Sequence, residues 1–204
     1  MNALCSALLS LVAPPRCAAC GQRFDGGGAF CEGCAVSVQY AADRGAVFEY
    51  GGPVADAIRR FKYDGRSELA TPLGQCLADA ASPFDGLVDL VVPVPLHWTR
   101  RRSRGFDQAA LLAGPVVRRL GVDSGFRVLR RVRATPRQSG LGRHARLRNV
   151  AGAFSAGPLP TAPRILLIDD VSTTGATLQA ARRALAAAGA GEVKSLVLAV
   201  RVLG

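Results

Sequence analysis

Two adjacent carboxylates, Asp169 and Asp170, carry the most telling chemistry in this chain. They close an apolar run, Ile165 to Ile168, and precede a small polar loop, Val171 to Thr177. Buried β-formers ending in acids predict a parallel strand that delivers its C-terminal end to a ligand edge. The loop supplies hydroxyls from Ser172, Thr173, Thr174 and Thr177, and Gly175 lets the backbone approach an anion closely. A helix expected from Ala176 would aim unpaired N–H groups at that anion. The acids are badly placed to hold a phosphate themselves. They suit the hydroxyl groups of a sugar attached to it.

A second constellation is built from sulfur. Cys17-Ala-Ala-Cys20-Gly21 and Cys31-Glu-Gly-Cys34 are two CxxC pairs separated by a glycine-rich bend, Gly26 to Gly28. Each pair can wrap its thiolates around one metal, and the spacing is that of a small tetrathiolate zinc site, with iron as the other candidate. Four thiolates leave no open coordination position, so the expected role is structural. Cys5 and Cys76 sit among apolar residues and read as ordinary buried cysteines.

The charge is strongly basic: 26 Lys and Arg against 15 Asp and Glu, a net +11. Only Lys62 and Lys194 are lysines, and such arginine bias also arises from genome composition. Distribution says more than the total. Arg100, Arg101, Arg102 and Arg104 form one cluster. Arg127, Arg130, Arg131, Arg133, Arg137, Arg143, Arg146 and Arg148 form another. Guanidinium groups suit bidentate phosphate contacts, so clusters of this kind point to a polyphosphate or nucleic acid.

These residues need a scaffold. The 204-residue length accommodates one α/β domain plus a small appendage, and 49% hydrophobic content is ample for a core. Residues 1–36 are expected to form the metal-bearing element, 37–45 a connector and 46–204 the main domain. Leu4, Leu8, Leu9, Leu11 and Val12 suit a short amphipathic helix, too short to span a bilayer. The opening residues lack a basic start and a clear cleavage site, so a cytoplasmic chain with no membrane partner is expected.

Within the main domain, strands are expected at Ala46–Tyr50, Leu87–Val94, Phe126–Arg131, Val150–Ser155, Arg164–Asp170 and Val193–Val200. Helices are expected at Pro53–Tyr63, Ser67–Ala81, Phe106–Leu120 and Ala176–Ala188. That alternation predicts a central parallel sheet flanked by helices. In such a sheet the Pro93-Val94-Pro95-Leu96 turn would end a strand beside Asp169. Residues 134–149 show no sustained periodicity and read as a basic loop, a candidate lid that excludes water. His97 and His144 are assigned no role, and no catalytic residue is named.

Taken together the motifs resemble two nested groups. The strand, acid pair and TTGAT loop resemble the 5-phosphoribosyl-1-pyrophosphate (PRPP) motif of type I phosphoribosyltransferases. In order, CAAC with CEGC, FKYDGR at Phe61 to Arg66, VVPVPLH at Val91 to His97, RSRGFDQA at Arg102 to Ala109, VLRRVRATP from Val128 and LLIDDVSTTGATL at Leu166 to Leu178 resemble the ComF family. The resemblance covers nearly the whole chain. It implies a type I phosphoribosyltransferase-like fold with an N-terminal zinc element.

It also implies roles. Asp169 and Asp170 would hold ribose hydroxyls, with Val171, Ser172, Thr173, Thr174, Gly175, Ala176 and Thr177 around the 5′-phosphate. Val94, Pro95, Leu96 and Arg104 would face the pyrophosphate of Mg²⁺-bound PRPP. Arg100, Arg101, Arg102, Arg137, Gln138, Arg143, Arg146 and Arg148 would serve a lid or contact single-stranded DNA. Family members act in DNA uptake beside a helicase-like competence protein. Many carry more cysteine knuckles than this chain. In 6-oxopurine salvage enzymes an Asp stands in the phosphate loop where this chain has Thr173, which argues against that chemistry. Three expectations follow: a PRPP-binding protein in DNA uptake, an active phosphoribosyltransferase of nucleotide or base metabolism, and a single-stranded DNA-binding module without turnover. A PRPP-sensing regulator is a further form of the first.

Overall fold

The alternating pattern resolves, in a computed structural model, into one five-stranded parallel sheet and a separate two-stranded one. Residues 15–43, 45–134, 150 and 152–201 are described. In chain order the first half contains α1 (Glu32–Ala35), β1 (Ala46–Glu49), α2 (Gly52–Tyr63), α3 (Ala70–Ala80), β2 (Leu90–Pro93), α4 (Trp98–Arg104) and α5 (Gln108–Leu120). The second half contains β3 (Asp123–Ser124), β4 (Leu129–Arg131), β5 (Phe154–Ala156), β6 (Arg164–Ser172), α6 (Ala176–Ala187) and β7 (Glu192–Val200).

The large sheet runs β1-β7-β6-β2-β3, parallel at every pairing. From β2 the chain moves outward to β3, then returns to β6 on β2's other side and continues to β7. The order therefore reverses between β2 and β6, the place where open α/β sheets bind ligands. Right-handed crossovers running in opposite directions put their helices on opposite faces. Thus α2, α3 and α5 cover one face, against Val91, Leu166, Ile168, Leu196 and Leu198. On the other face α6, with β4 and β5, covers Val92, Ile165 and Leu167. Alternate residues of β6 feed the two cores, as the period of two requires.

Four residues expected on one face of the first helix, Val54, Ala57, Ile58 and Phe61, are all buried there. The α5 helix ends at Gly121, whose φ of 65° is the left-handed cap conformation. Several boundaries differ from expectation. The Leu87–Val94 strand shrinks to Leu90–Pro93, because Asp85 to Leu87 turn at Gly86 (φ 69°). The expected Ser67–Ala81 helix opens with a 3₁₀ turn, Ser67–Leu69. The Phe126–Arg131 strand is confined to β4, and it pairs antiparallel with β5 rather than joining the parallel sheet. Neither α4 nor β3 was foreseen. The segments 1–14 and 135–149, with Cys5, His144 and the expected lid, lie outside the described residues.

Two of the helices on that face, α3 and α5, approach closely at Gly74. A Cβ there would come 2.8 Å from Pro115 Cγ and 3.1 Å from the Leu112 carbonyl oxygen. Gly74→Val is expected to destabilise the fold by about 1–3 kcal/mol through overpacking. An unchanged denaturant midpoint would contradict this close crossing of α3 and α5.

Candidate functional site

β6 carries the acid pair past the end of its neighbour. Ile168 pairs with Pro93, and Val94 N–H donates to the Ile168 carbonyl at 2.8 Å. Pro95 has no N–H, and Leu96 N–H donates to Asp107 Oδ2 at 2.9 Å instead of continuing the ladder. On β6's other side β7 continues, pairing Val171 with Ala199 and Ser172 with Val200. The strand therefore runs two residues beyond its expected end at Asp170, while the β2 side opens into a cavity.

That cavity, about 500 Å³, is lined by Asp169, Asp170, Val171 and Thr177 on one side. Facing them are Val94, Pro95 and Leu96, then Arg100, Arg104, Asp107 and Gln108, with Lys62 and Tyr63 from the end of α2. A smaller cradle adjoins it, lined by Ser172, Thr173, Gly175 and Ala176, and shares Asp169, Val171 and Thr177 with the cavity. Gly175, which precedes α6, has φ 70° and no side chain of its own to cap the helix. The Thr174 hydroxyl is buried without a hydrogen-bond partner. A helix N-terminus at a cradle lined by Ser172, Thr173 and Gly175 is suited to an oxyanion.

Two carboxylates this close cannot both ionise cheaply. Burial, reinforced by the neighbouring Asp170 carboxylate, pushes Asp169 up to about 8. Its Oδ1 accepts the Asp170 N–H at 2.8 Å. Lys62 Nζ donates to Asp170 Oδ1 at 2.8 Å, with both side chains largely buried. Arg131 enters from β4, stacked over the Phe154 ring at 5.2 Å. Burial, then the nearby Arg100, lowers its guanidinium from the ordinary value. Asp107 caps α5 through Ala110 N–H while holding Leu96 N–H.

Of the sequence candidates, the acid pair, the loop, the 94–96 turn, Arg100 and Arg104 converge here. Arg101 and Arg102 are exposed on α4 and do not line the cavity. Arg137, Gln138, Arg143, Arg146 and Arg148 lie outside the described residues. Lys62, Tyr63, Asp107, Gln108 and Arg131 were missed as site residues. Four of them sat inside the FKYDGR and RSRGFDQA motifs, so the signal was present without a role. His97 is a buried turn residue whose Nδ1 meets Thr99 Oγ1 at 2.8 Å.

The cysteines form a second site. The Sγ atoms of Cys17, Cys20, Cys31 and Cys34 all lie within 4.8 Å of one another, and Cys20 and Cys31 are 3.8 Å apart. A tetrahedron with metal–sulfur bonds of about 2.3 Å has sulfur–sulfur edges of roughly 3.8 Å, so the four can hold a metal ion. Burial and contact with the other three thiols push Cys34 up to about 12. At Cys17 burial works the same way, but the backbone N–H groups of Cys31, Cys20 and Ala19 outweigh it and bring the thiol down to about 6. Arg60 Nη1 donates to the carbonyls of Cys17, Ala18 and Ala19 at 3.0, 2.9 and 3.1 Å. Gly21, at φ 77°, leaves room for that guanidinium, since a Cβ would sit 2.8 Å from Arg60 Nη2. Cys76 is only partly buried, its thiol donating to the Pro72 carbonyl.

The crossover sheet with acids at its switch point is that of a phosphoribosyl transferase domain, and residues 107–202 match that family. The chain belongs to the competence protein F (ComF) family. It is 30% identical over 203 residues to competence protein F of Haemophilus influenzae, covering 95% of this chain and 88% of that one. It is 35% identical over 154 residues to DNA utilization protein YhgH of Escherichia coli K12, covering 72% and 67%. Competence protein ComFC of Streptococcus pneumoniae is 31% identical over 158 residues, covering 75% and 66%. A solved allosteric regulatory enzyme of purine biosynthesis overlaps 61% of this chain and 24% of its own, with 22% identity and a TM-score of 0.41. Among the described residues no helix is long and apolar enough to cross a membrane.

The raised acid generates a pH test. Asp169 ionises near 3.8 ordinarily and near 8 when folded. Between those values the folded state keeps a proton that the unfolded chain has released, so stability falls as pH rises and levels off above about 8. Asp169→Asn keeps an acceptor for Asp170 N–H and removes the titration. Its thermal midpoint, relative to wild type, should climb from pH 5 to pH 8. Parallel pH profiles for the two proteins would overturn the assignment.

Proposed function

We propose that this protein binds Mg²⁺–PRPP, or a closely related phosphoribosyl ligand, in the cavity between β6 and β2. One observation carries the reading: the cavity lined by the acid pair adjoins, through Asp169, Val171 and Thr177, a cradle of Ser172, Thr173, Gly175 and Ala176 at the start of α6. A ribose carrying a 5′-phosphate needs those two neighbours in that order. Asp169 and Asp170 would accept from the ribose hydroxyls. Residues 172–177 would enclose the 5′-phosphate. The crowded carboxylates also suit a divalent cation, which would neutralise charge on the pyrophosphate. Val94, Pro95 and Leu96 would form the wall at the pyrophosphate end, beside Arg100 and Arg104.

The relatives' names, competence protein and DNA utilization protein, support placing that ligand in the handling of DNA taken up by the cell. If turnover accompanies binding, a nitrogen nucleophile would displace pyrophosphate at C1, the reaction class of the fold. In the cysteine cluster the donor set and spacing favour zinc, in a structural role: four thiolates fill a tetrahedron, and the small 15–36 element owns few core residues.

Calorimetric titration with Mg²⁺–PRPP tests the first reading. Binding in the micromolar range is expected, and it should fall at least about tenfold in Asp170→Asn, which removes charge from the ribose site. No heat of binding to the wild type would sink it. For the metal, elemental analysis should find one zinc per chain, lost in Cys17→Ser together with protease resistance of the 15–36 segment. An iron-containing chain, or a metal-free one equally resistant, would refute the zinc assignment.

A further inference from the structure

The turn that walls the pyrophosphate end has no backbone donor left to give. Val94 N–H is spent on Ile168, Pro95 has none, and Leu96 N–H is spent on Asp107. An anion there must be held by side chains, and one side chain is prepared for it. Gln108 is 1% exposed and lines the cavity. Its Oε1 accepts from Arg104 Nη1 at 2.9 Å. A guanidinium can only donate, so this contact fixes which way the amide points and leaves Nε2 as the remaining end. Nε2 is buried with no hydrogen-bond partner. Buried donors are normally satisfied, and one left open beside a cavity calls for an acceptor from a ligand. Arg104 is steadied by the Tyr63 ring, 5.1 Å below its guanidinium. Arg100 lines the same cavity and, with Arg104, makes this end cationic.

We propose that Gln108 recognises the pyrophosphate end of the ligand, its Nε2 donating to a phosphate oxygen while Arg104 holds the amide in that orientation. The 5′-phosphate would occupy the cradle and the ribose the acid pair. What remains is the C1 substituent, which meets this cationic wall. Side chains from α4 and α5 thus take the part that free backbone N–H groups of the turn cannot. The inference rests on the phosphoribosyl reading and adds the residue that selects a pyrophosphorylated ligand over a plain sugar phosphate.

Two variants and three ligands test it. Gln108→Glu keeps the acceptor for Arg104 and replaces the donor with a charged oxygen. Gln108→Met is close in shape and has neither. Each is titrated with Mg²⁺–PRPP, Mg²⁺–pyrophosphate and ribose 5-phosphate. PRPP and pyrophosphate should bind roughly tenfold more weakly to Gln108→Met, and more weakly still to Gln108→Glu. Ribose 5-phosphate should change less than about twofold. The ligand-free Gln108→Met protein should melt no lower than wild type, since an unsatisfied donor has been removed. Unchanged PRPP and pyrophosphate affinities in Gln108→Met would overturn the inference, as would an equal loss for ribose 5-phosphate. If wild type binds pyrophosphate through Gln108 but not PRPP, the phosphoribosyl reading falls and only the Gln108 contact to pyrophosphate stands. If wild type binds neither, both fall.

Discussion

Neighbouring carboxylates repel each other, and the ion pair between Lys62 and Asp170 offsets that repulsion. With both side chains largely buried, removing either partner would strand the other charge, a loss on the order of 3–5 kcal/mol. The pair spans 108 residues of chain, so it also sets where α2 must lie against β6. Even so, the neutralisation is incomplete. Asp169 keeps its proton well above the carboxylate range, and the pocket remains receptive to a cation or to hydroxyl donors.

The helix that supplies Lys62 has a second anchor. Residues in a helix advance by about 100° each, so Arg60 and Lys62 flank the buried Phe61 on opposite sides. Phe61 enters the core. Arg60 grips three carbonyls of the cysteine knuckle, while Lys62 meets the acid pair. One short helix therefore joins the cysteine cluster to the ligand cavity. Ala18 and Ala29 of the cysteine-bearing element share the core with Val47, Phe48 and Ile58, so the element is packed onto the sheet domain rather than hung beside it.

Asp107 links the remaining pieces. One carboxylate oxygen caps α5 and the other takes the Leu96 N–H. This ends the β2–β6 ladder, opens the cavity, and brings Gln108, the next residue, to its wall. Burial raises Asp107 from its ordinary value, and the two backbone donors work against that. The geometry at this end depends on one carboxylate with two fixed partners. That is why the short RGFDQ stretch contributes both to the frame and to the lining.

Local pattern alone determined a good deal of this protein. The apolar run before Asp169, the face of α2 and the Gly121 end of α5 were legible because periodicity and capping act within a few residues. The cysteine cluster was legible because metal-ligand spacing is local too. Tertiary structure decided the rest. That β6 outruns β2 depends on where a neighbouring strand stops. That Lys62 faces Asp170, 108 residues away, depends on a group its sequence neighbours give no hint of. The β4–β5 pair was read as part of the parallel sheet because strand patterns do not encode their partner. Hydrogen-bond donors spent on distant acceptors cannot be counted from a sequence, and here that count determines which side chains are left to meet a ligand.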